Sequence, residues 1–316
     1  MGGTLTRSWR VEWPLHLRAT VGPLQQGPLD PCLQLGRQTD GHWLWWARRM
    51  SSGPTTLWVS TQGRLVEARA WGDGAAEILD RLPRMLGSQD TLDGFDVARL
   101  SETAWHPRVV SHARRWARQW RAPASGDLIG GLVTAVLGQR VTGGEAHAAW
   151  RTLVRQVSAA APAPDVRAPA LYLPPTPQQW LSVPSWQWQA AGVDGQRRKR
   201  LIGALGSVTL LDYEHLDAVD VRKRLRAIPG IGVWTDAVVG AQVFGDADAV
   251  PFGDFHVCHD TVYALTGAAR SSDAELAAVL QPWAGHRFRV VRLVQLCAIS
   301  APRWGPRYRP LDLRRF

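Results

Sequence analysis

The chain changes hydrophobic period part-way along its length. Up to about residue 95, short segments alternate apolar and polar positions, as in LHLRATV (15–21), WLWWARRM (43–50), TTLWVSTQ (55–62) and LVEARAW (65–71). Gly, Pro and Asp clusters separate them (GPLDP, QTDGH, SSGP, GDG). Alternation bounded by turn residues predicts a small antiparallel sheet. GAAEILDRLPRML then predicts a helix near Ala75–Leu86. Beyond residue 95 the period becomes 3.6: Val109, Val110, Ala113, Trp116, Ala117 and Trp120 share one face of a helix over Pro107–Trp120. Residues 126–138 and 144–157 read as two helices joined at GQRVTG, and the Ala/Pro-rich residues 159–177 as a surface connection that packs against nothing. Helical periodicity resumes at Gln196–Leu205, Ala218–Ile228, Val233–Phe244, Phe255–Thr266, Ser272–Leu280 and His286–Ile299. No fixed-period repeat occurs. The expected fold is α+β, a β-rich domain over residues 1–95 followed by an all-α domain over 96–316.

Composition narrows the function classes. With 316 residues, 45% hydrophobic and 20% charged, the chain has the make-up of a globular protein. No run of about 18 apolar residues is present, so no membrane-spanning helix is expected. The first residues have no apolar run after their Arg, so no secretory signal is expected either, and the expected location is the cytoplasm, on the nucleoid. Net charge is +10, with Lys199 and Lys223 the only lysines. A coding bias explains Arg in place of Lys but not the surplus over Asp and Glu, which points to a polyanion partner. Cys32, Cys258 and Cys297 are far apart and form no CxxC pair, which excludes a zinc ribbon or a four-Cys iron–sulfur cluster within this chain. No metal ligand set is visible.

The most informative stretch is LRAIPGIGVWTDAVV, residues 225–239. An amphipathic segment ends at Ile228, Pro229 cannot continue it, and Gly230 and Gly232 permit a tight turn with positive φ before a new helix begins at Val233 or Trp234. The product is a helix N-terminus with bare amides beside side-chain-free glycines, a place where a phosphate can approach closely. An ordinary turn between two helices is the plain alternative. Asp254 lies 22 residues after Gly232, in GDADAVPFGDFH. One helix and a returning loop fill that gap and bring its carboxylate back toward the hairpin, although the same residue also fits a helix N-cap.

Ile228 through Thr235 resembles the hairpin of helix-hairpin-helix DNA glycosylases, closest to the bacterial 3-methyladenine DNA glycosylase II branch. AVLGQRVT (135–142), GVDGQRRKRLIGAL (192–205) and GHRFRVVRLVQ (285–295) resemble further parts of that fold, so the likeness covers nearly the whole chain. The resemblance implies a monofunctional glycosylase acting on double-stranded DNA that contains damaged bases, as a monomer, in base excision repair. Asp254 would be the catalytic carboxylate, and Pro229, Gly230, Ile231, Gly232 and Val233 the DNA-binding hairpin. Trp234 stands where bifunctional members carry a Schiff-base lysine. With Val238 it would form the base pocket, and an indole face there would favour positively charged alkylated purines. Gln139 or Arg140 would fill the gap left by an extruded base. Thr235, Arg287 and Arg289 would contact phosphates, within a wider set including Arg197, Arg198, Arg200, Arg222 and Arg292. Asp246 and Asp248 are expected as solvent-facing turn residues. The resemblance allows a monovalent cation on hairpin carbonyls but calls for no other cofactor and no membrane partner. Open alternatives are an inactive DNA-binding protein of the same fold, and a glycosylase for deaminated or bulky lesions.

Overall fold

The computed structural model describes residues 3–162, 168–208 and 217–303. Its sheet has five antiparallel strands in the order β1-β5-β4-β3-β2, comprising β1 (Leu5–Arg10), β2 (Leu33–Gln38), β3 (Gly41–Met50), β4 (Gly53–Gln62) and β5 (Leu65–Trp71). In β5 the pleat is plain: Val66, Ala68 and Ala70 point into the core, and Glu67 and Arg69 point out. Gly36 of β2 pairs with Trp43 of β3, whose indole lies where a side chain at 36 would stand. The glycine's missing surface is thus covered from across the strand. The segment 15–21 is not a strand. Helix α1 occupies Leu17–Val21, with His16 Nδ1 capping the Ala19 amide, and it buries Leu17 and Val21, which lie one helical turn apart. The period-2 reading of this short stretch was ambiguous, and the cap decided it.

Helix α2 (Ala75–Met85) packs Ile78, Leu82 and Met85 on the sheet against Leu44, Leu57 and Val59. Glu77 ties α2 to the β3–β4 turn: its carboxylate accepts from the Ser52 amide (2.9 Å) and hydroxyl (2.7 Å), and Arg81 pairs with it. The other sheet face is covered in part by the connection after residue 158, against expectation. Leu171 and Leu173 are buried with Ala47, and Ala160 bridges Tyr172. The apolar members of this Ala/Pro-rich stretch are too few to signal a packed element by periodicity. Residues 163–167 lie outside the described residues.

The remaining helices are α3 (Val97–Thr103), α4 (Pro107–Gln119), α5 (Leu128–Leu137), α6 (Gly143–Val157), α7 (Pro177–Ser182), α8 (Ser185–Ala190), α9 (Gly195–Val208), α10 (Ala218–Arg226), α11 (Val233–Val239), α12 (Phe255–Thr266), α13 (Asp273–Leu280) and α14 (Arg287–Leu296). They enclose two cores. One joins α5, α6 and α9 to the hairpin helices through Leu132, Val136, Leu153, Leu201, Leu225 and Val239. The other joins α4, α12 and α14 through Val109, Val262, Val290 and Val294. The buried Trp150, Trp180 and Trp188 pack in series at centroid distances of 5.9 and 5.8 Å, the first pair tilted and the second stacked. No described helix is long and apolar enough to cross a membrane.

Burial alone would raise the Glu77 carboxyl, but the Ser52 hydrogen bonds outweigh it and bring it down to about 2. A depressed carboxyl contributes stability above its unfolded value and loses it as pH falls through the folded one. Glu77→Gln is therefore expected to flatten the decline in stability between about pH 4 and 2, measured by denaturant unfolding across that range.

Candidate functional site

Helix α10 ends with Ala227 and Ile228 donating back to Arg224 and Leu225 carbonyls. Pro229 cannot extend it, and Gly230 turns the chain with φ +91°. Only this glycine needs the left-handed region; Gly232 is extended (φ −95°, ψ −172°), so the expectation of two positive-φ glycines is corrected. At Gly230 a Cβ would meet Arg200 Cγ at 2.6 Å, whereas at Gly232 it would meet open space. Ile231 anchors the turn in the core, and Gly232 and Val233 are exposed. No side chain caps α11, so its first amides face an open approach.

Helix α11 runs into a π-helical turn, Gly240–Phe244, and Gly245 in the left-handed region ends it. The loop that follows is pinned at two points. Arg222 of α10 pairs with Asp236 of α11 (Nη2 to Oδ2, 3.0 Å) and with Asp246 of the loop. Arg287 of α14 grips Asp248 through its backbone amide (2.9 Å) and its guanidinium (Nε, 2.8 Å). Burial works against ionisation of Asp248, yet Arg287 holds its carboxyl below the ordinary range. Asp246 and Asp248 are thus loop anchors and not free turn residues.

The loop delivers Asp254, which caps α12: Oδ1 accepts from the His256 (2.9 Å) and Val257 (3.0 Å) amides. Oδ2 accepts from Trp234 Nε1 at 3.1 Å. Both readings of this residue therefore meet in one side chain, an N-cap whose second oxygen is held by the hairpin helix. Asp254 also lines a cavity of about 200 Å³ between the two helical cores. Val238, Pro251, Val257 and Phe288 form apolar walls, and α1 and the Trp120–Pro123 segment close the side toward the sheet domain. Trp234 is not part of this wall; it touches the site through its N–H.

No family model matches the sequence, and no curated protein matches it significantly. Solved structures do match in shape. A 3-methyladenine DNA glycosylase from Archaeoglobus fulgidus superposes with a TM-score of 0.71 at 14% identity, covering 92% of this chain and 98% of that one. An 8-oxoguanine glycosylase/lyase from Clostridium acetobutylicum gives 0.67 at 12% identity, with 93% and 98% covered. A Schizosaccharomyces pombe 3-methyladenine DNA glycosylase in complex with abasic DNA gives 0.51 at 16%, with 66% and 98% covered. The chain has the helix-hairpin-helix DNA glycosylase fold.

Within this glycosylase fold several expected DNA contacts have other work. Arg289 is fully buried: it pairs with Asp90, donates to Thr91 O (3.0 Å), and lies between the Phe95 and Trp120 rings. It cannot reach a phosphate. Arg287 is committed to Asp248 as described. Thr235 is buried, and its hydroxyl accepts from Gln139 Nε2 at 2.9 Å. The same Nε2 also donates to Gly230 O, and Gln139 Oε1 accepts from Arg200 Nη1 at 3.1 Å. Gln139 is thereby clamped to the hairpin, and its neighbour Arg140 stands exposed in the left-handed region (φ +56°) at the α5–α6 turn. Arg197 and Arg222 are likewise paired within the protein. Arg292 lines the Asp254 cavity, as do Thr20 and Trp120, which no local sequence signal singled out. The basic C-terminal run PRWGPRYRPLDLRRF lies, from residue 304, outside the described residues.

Two substitutions separate the glycines. Gly230→Ala is expected to lose about 1–2 kcal/mol from the left-handed backbone alone. Gly232→Ala should melt like the wild type and weaken only duplex binding, measured by fluorescence anisotropy. Arg289→Ala leaves Asp90 buried and uncompensated and should cost about 3–5 kcal/mol in chemical unfolding. A lower salt slope of DNA binding with unchanged stability would instead return Arg289 to the phosphate-contact role.

Proposed function

We propose that the protein is a monofunctional DNA glycosylase, which flips a damaged base from double-stranded DNA and hydrolyses its N-glycosidic bond. The observation that carries this reading is the carboxylate of Asp254, which lines a cavity of about 200 Å³ and is held by three N–H donors beside an open hairpin. The C1′–N bond breaks with its electron pair leaving on the base. A water oxygen bonds to C1′, and the water's proton passes by way of the carboxylate to solvent or the departing base. Positive charge building on the sugar is stabilised by the fixed carboxylate. The Trp234 N–H keeps that carboxylate oriented, so Trp234 is a positioning residue here.

The position two residues after Gly232 carries Trp234, so no amine stands there to attack C1′. Water is left as nucleophile and an abasic site as product. Arg140 is the residue assigned to fill the vacated stack, because Gln139 is held by Gly230, Thr235 and Arg200. The solved structures of similar fold are named for alkylated and for oxidised bases alike. The resemblance favours alkylated purines, but Trp234 offers its N–H to Asp254 and no ring face to the cavity.

Asp254→Asn is expected to cut base release by roughly 100-fold or more with duplex affinity retained. Arg140→Ala should slow release roughly tenfold, through less favourable flipping. Borohydride should trap no covalent protein–DNA complex. Wild-type protein that binds damaged duplexes but frees no base would sink the catalytic reading, and a trapped complex would sink the monofunctional one.

A further inference from the structure

Arg140 is exposed, and the turn that carries it is held in a conformation that needs outside support. Its φ of +56° places a residue with a β-carbon in the left-handed region, which such residues adopt at a cost. A backbone of this kind persists where its surroundings over-determine it. Here both flanks are pinned. Downstream, Thr142 and Glu145 form a capping box that fixes the start of α6, the Thr142 amide donating to Glu145 Oε2 at 2.8 Å. Upstream, Gln139 Nε2 donates to Gly230 O (3.1 Å) and to Thr235 Oγ1 (2.9 Å), and Gln139 Oε1 accepts from Arg200 Nη1 (3.1 Å). Gly230 O can only accept and Arg200 Nη1 can only donate, so the amide has one way to face. Arg200 itself lies against the hairpin, since a Cβ at Gly230 would meet its Cγ at 2.6 Å.

We propose that Gln139 is a positioning residue. It holds the Arg140 turn in register with the hairpin, so that the phosphate grip and the side chain entering the base stack keep a fixed separation along the duplex. The inference rests on the glycosylase reading and on Arg140 as the filling residue. An inserted side chain fits only at the step that the flipped base has left, and extruding that base is costly. An Arg140 free to shift against the gripped phosphate fills the gap less often, and small misplacements at such a point carry large penalties in rate. The partners of Gln139 come from α9, the hairpin turn and α11, so one amide registers the Arg140 turn against all three. The same turn backs Trp234 as well: a Cβ on Gly138 would stand 3.5 Å from Trp234 Cη2, and Trp234 Nε1 holds Asp254. Gly138, Gln139 and Arg140 thus serve in succession the residue that orients the carboxylate, the hairpin and the DNA stack.

The experiment separates placement of Arg140 from binding on one probe. A duplex carries a tetrahydrofuran abasic analogue opposite 2-aminopurine, whose fluorescence changes when an entering side chain disturbs its stacking. Anisotropy of a terminal label on the same duplex reports binding. Wild type, Arg140→Ala, Gln139→Met, Thr235→Val and Thr235→Ser are compared at protein concentrations that saturate the anisotropy, with thermal melts to establish folding. The wild type should give a 2-aminopurine signal that Arg140→Ala abolishes. Gln139→Met, of similar length but without polar atoms, should lower the inserted-to-withdrawn ratio roughly tenfold, the scale of one or two lost hydrogen bonds. Thr235→Val should lower it in the same direction, and Thr235→Ser, which keeps the hydroxyl, should restore it; this pair decides alone if Gln139→Met does not fold. In base release, the Gln139→Met/Arg140→Ala double variant should be no slower than Arg140→Ala, because Gln139 acts through Arg140. A full signal in folded Gln139→Met and Thr235→Val, a Thr235→Ser as low as Thr235→Val, or additive losses in release overturns the role of Gln139 and leaves the glycosylase reading intact. No signal from the wild type overturns Arg140 as the filling residue and the proposal with it. No release from duplexes carrying alkylated, deaminated or oxidised bases, with the Gln139-dependent signal present, overturns the glycosylase reading and leaves the positioning role standing.

Discussion

The site depends on one ion-pair tie. Arg222 reaches from α10 to Asp236 on α11 and to Asp246 on the loop beyond, so a single guanidinium binds both hairpin helices to the segment that returns toward Asp254. Gly240 is part of the same device, because a Cβ there would meet Arg222 Cζ at 2.8 Å. Burial opposes the charge on Arg222, but its two carboxylates raise its affinity for the proton above the ordinary value. With both acids paired to one base and Asp248, two residues further on, held by Arg287, the loop starts from a fixed point on its way to Asp254. Catalysis by a positioned carboxylate needs that restriction, since a displacement of about 1 Å can cost a large factor in rate.

The parts of this architecture legible in the sequence are those whose causes are local. β3, β4 and β5 show as alternation between turn clusters. Helix α12 was read at its true bounds, Phe255–Thr266, because its cap and its terminal Gly267 lie next to the pattern. The hairpin and Asp254 lie within one short stretch of chain, and one turn's chemistry links them. What stayed hidden is set by distant partners. No window around residue 289 can say that Asp90 neutralises it, and none around Gln139 that Gly230 and Thr235 hold its amide. The far wall of the cavity draws on Thr20, Trp120 and Arg292, three separate regions of the chain, so no spacing rule joins them. The helix at 17–21 was misread because five residues are too few to distinguish a period of 2 from one of 3.6 when a His cap lies just outside the alternating pattern.

The net charge of +10 also takes on a more definite meaning once the arginines are sorted. Arg197, Arg222, Arg287 and Arg289 are matched by acids and add little to the outside field. The cations left to attract a polyanion are exposed ones such as Arg140, Lys199 and Arg226, on or beside the turns and helices that precede the hairpin helix. Counting basic residues overstates the number of cations free to meet a polyanion. A salt dependence of binding reports exposed, counterion-releasing cations and not the total.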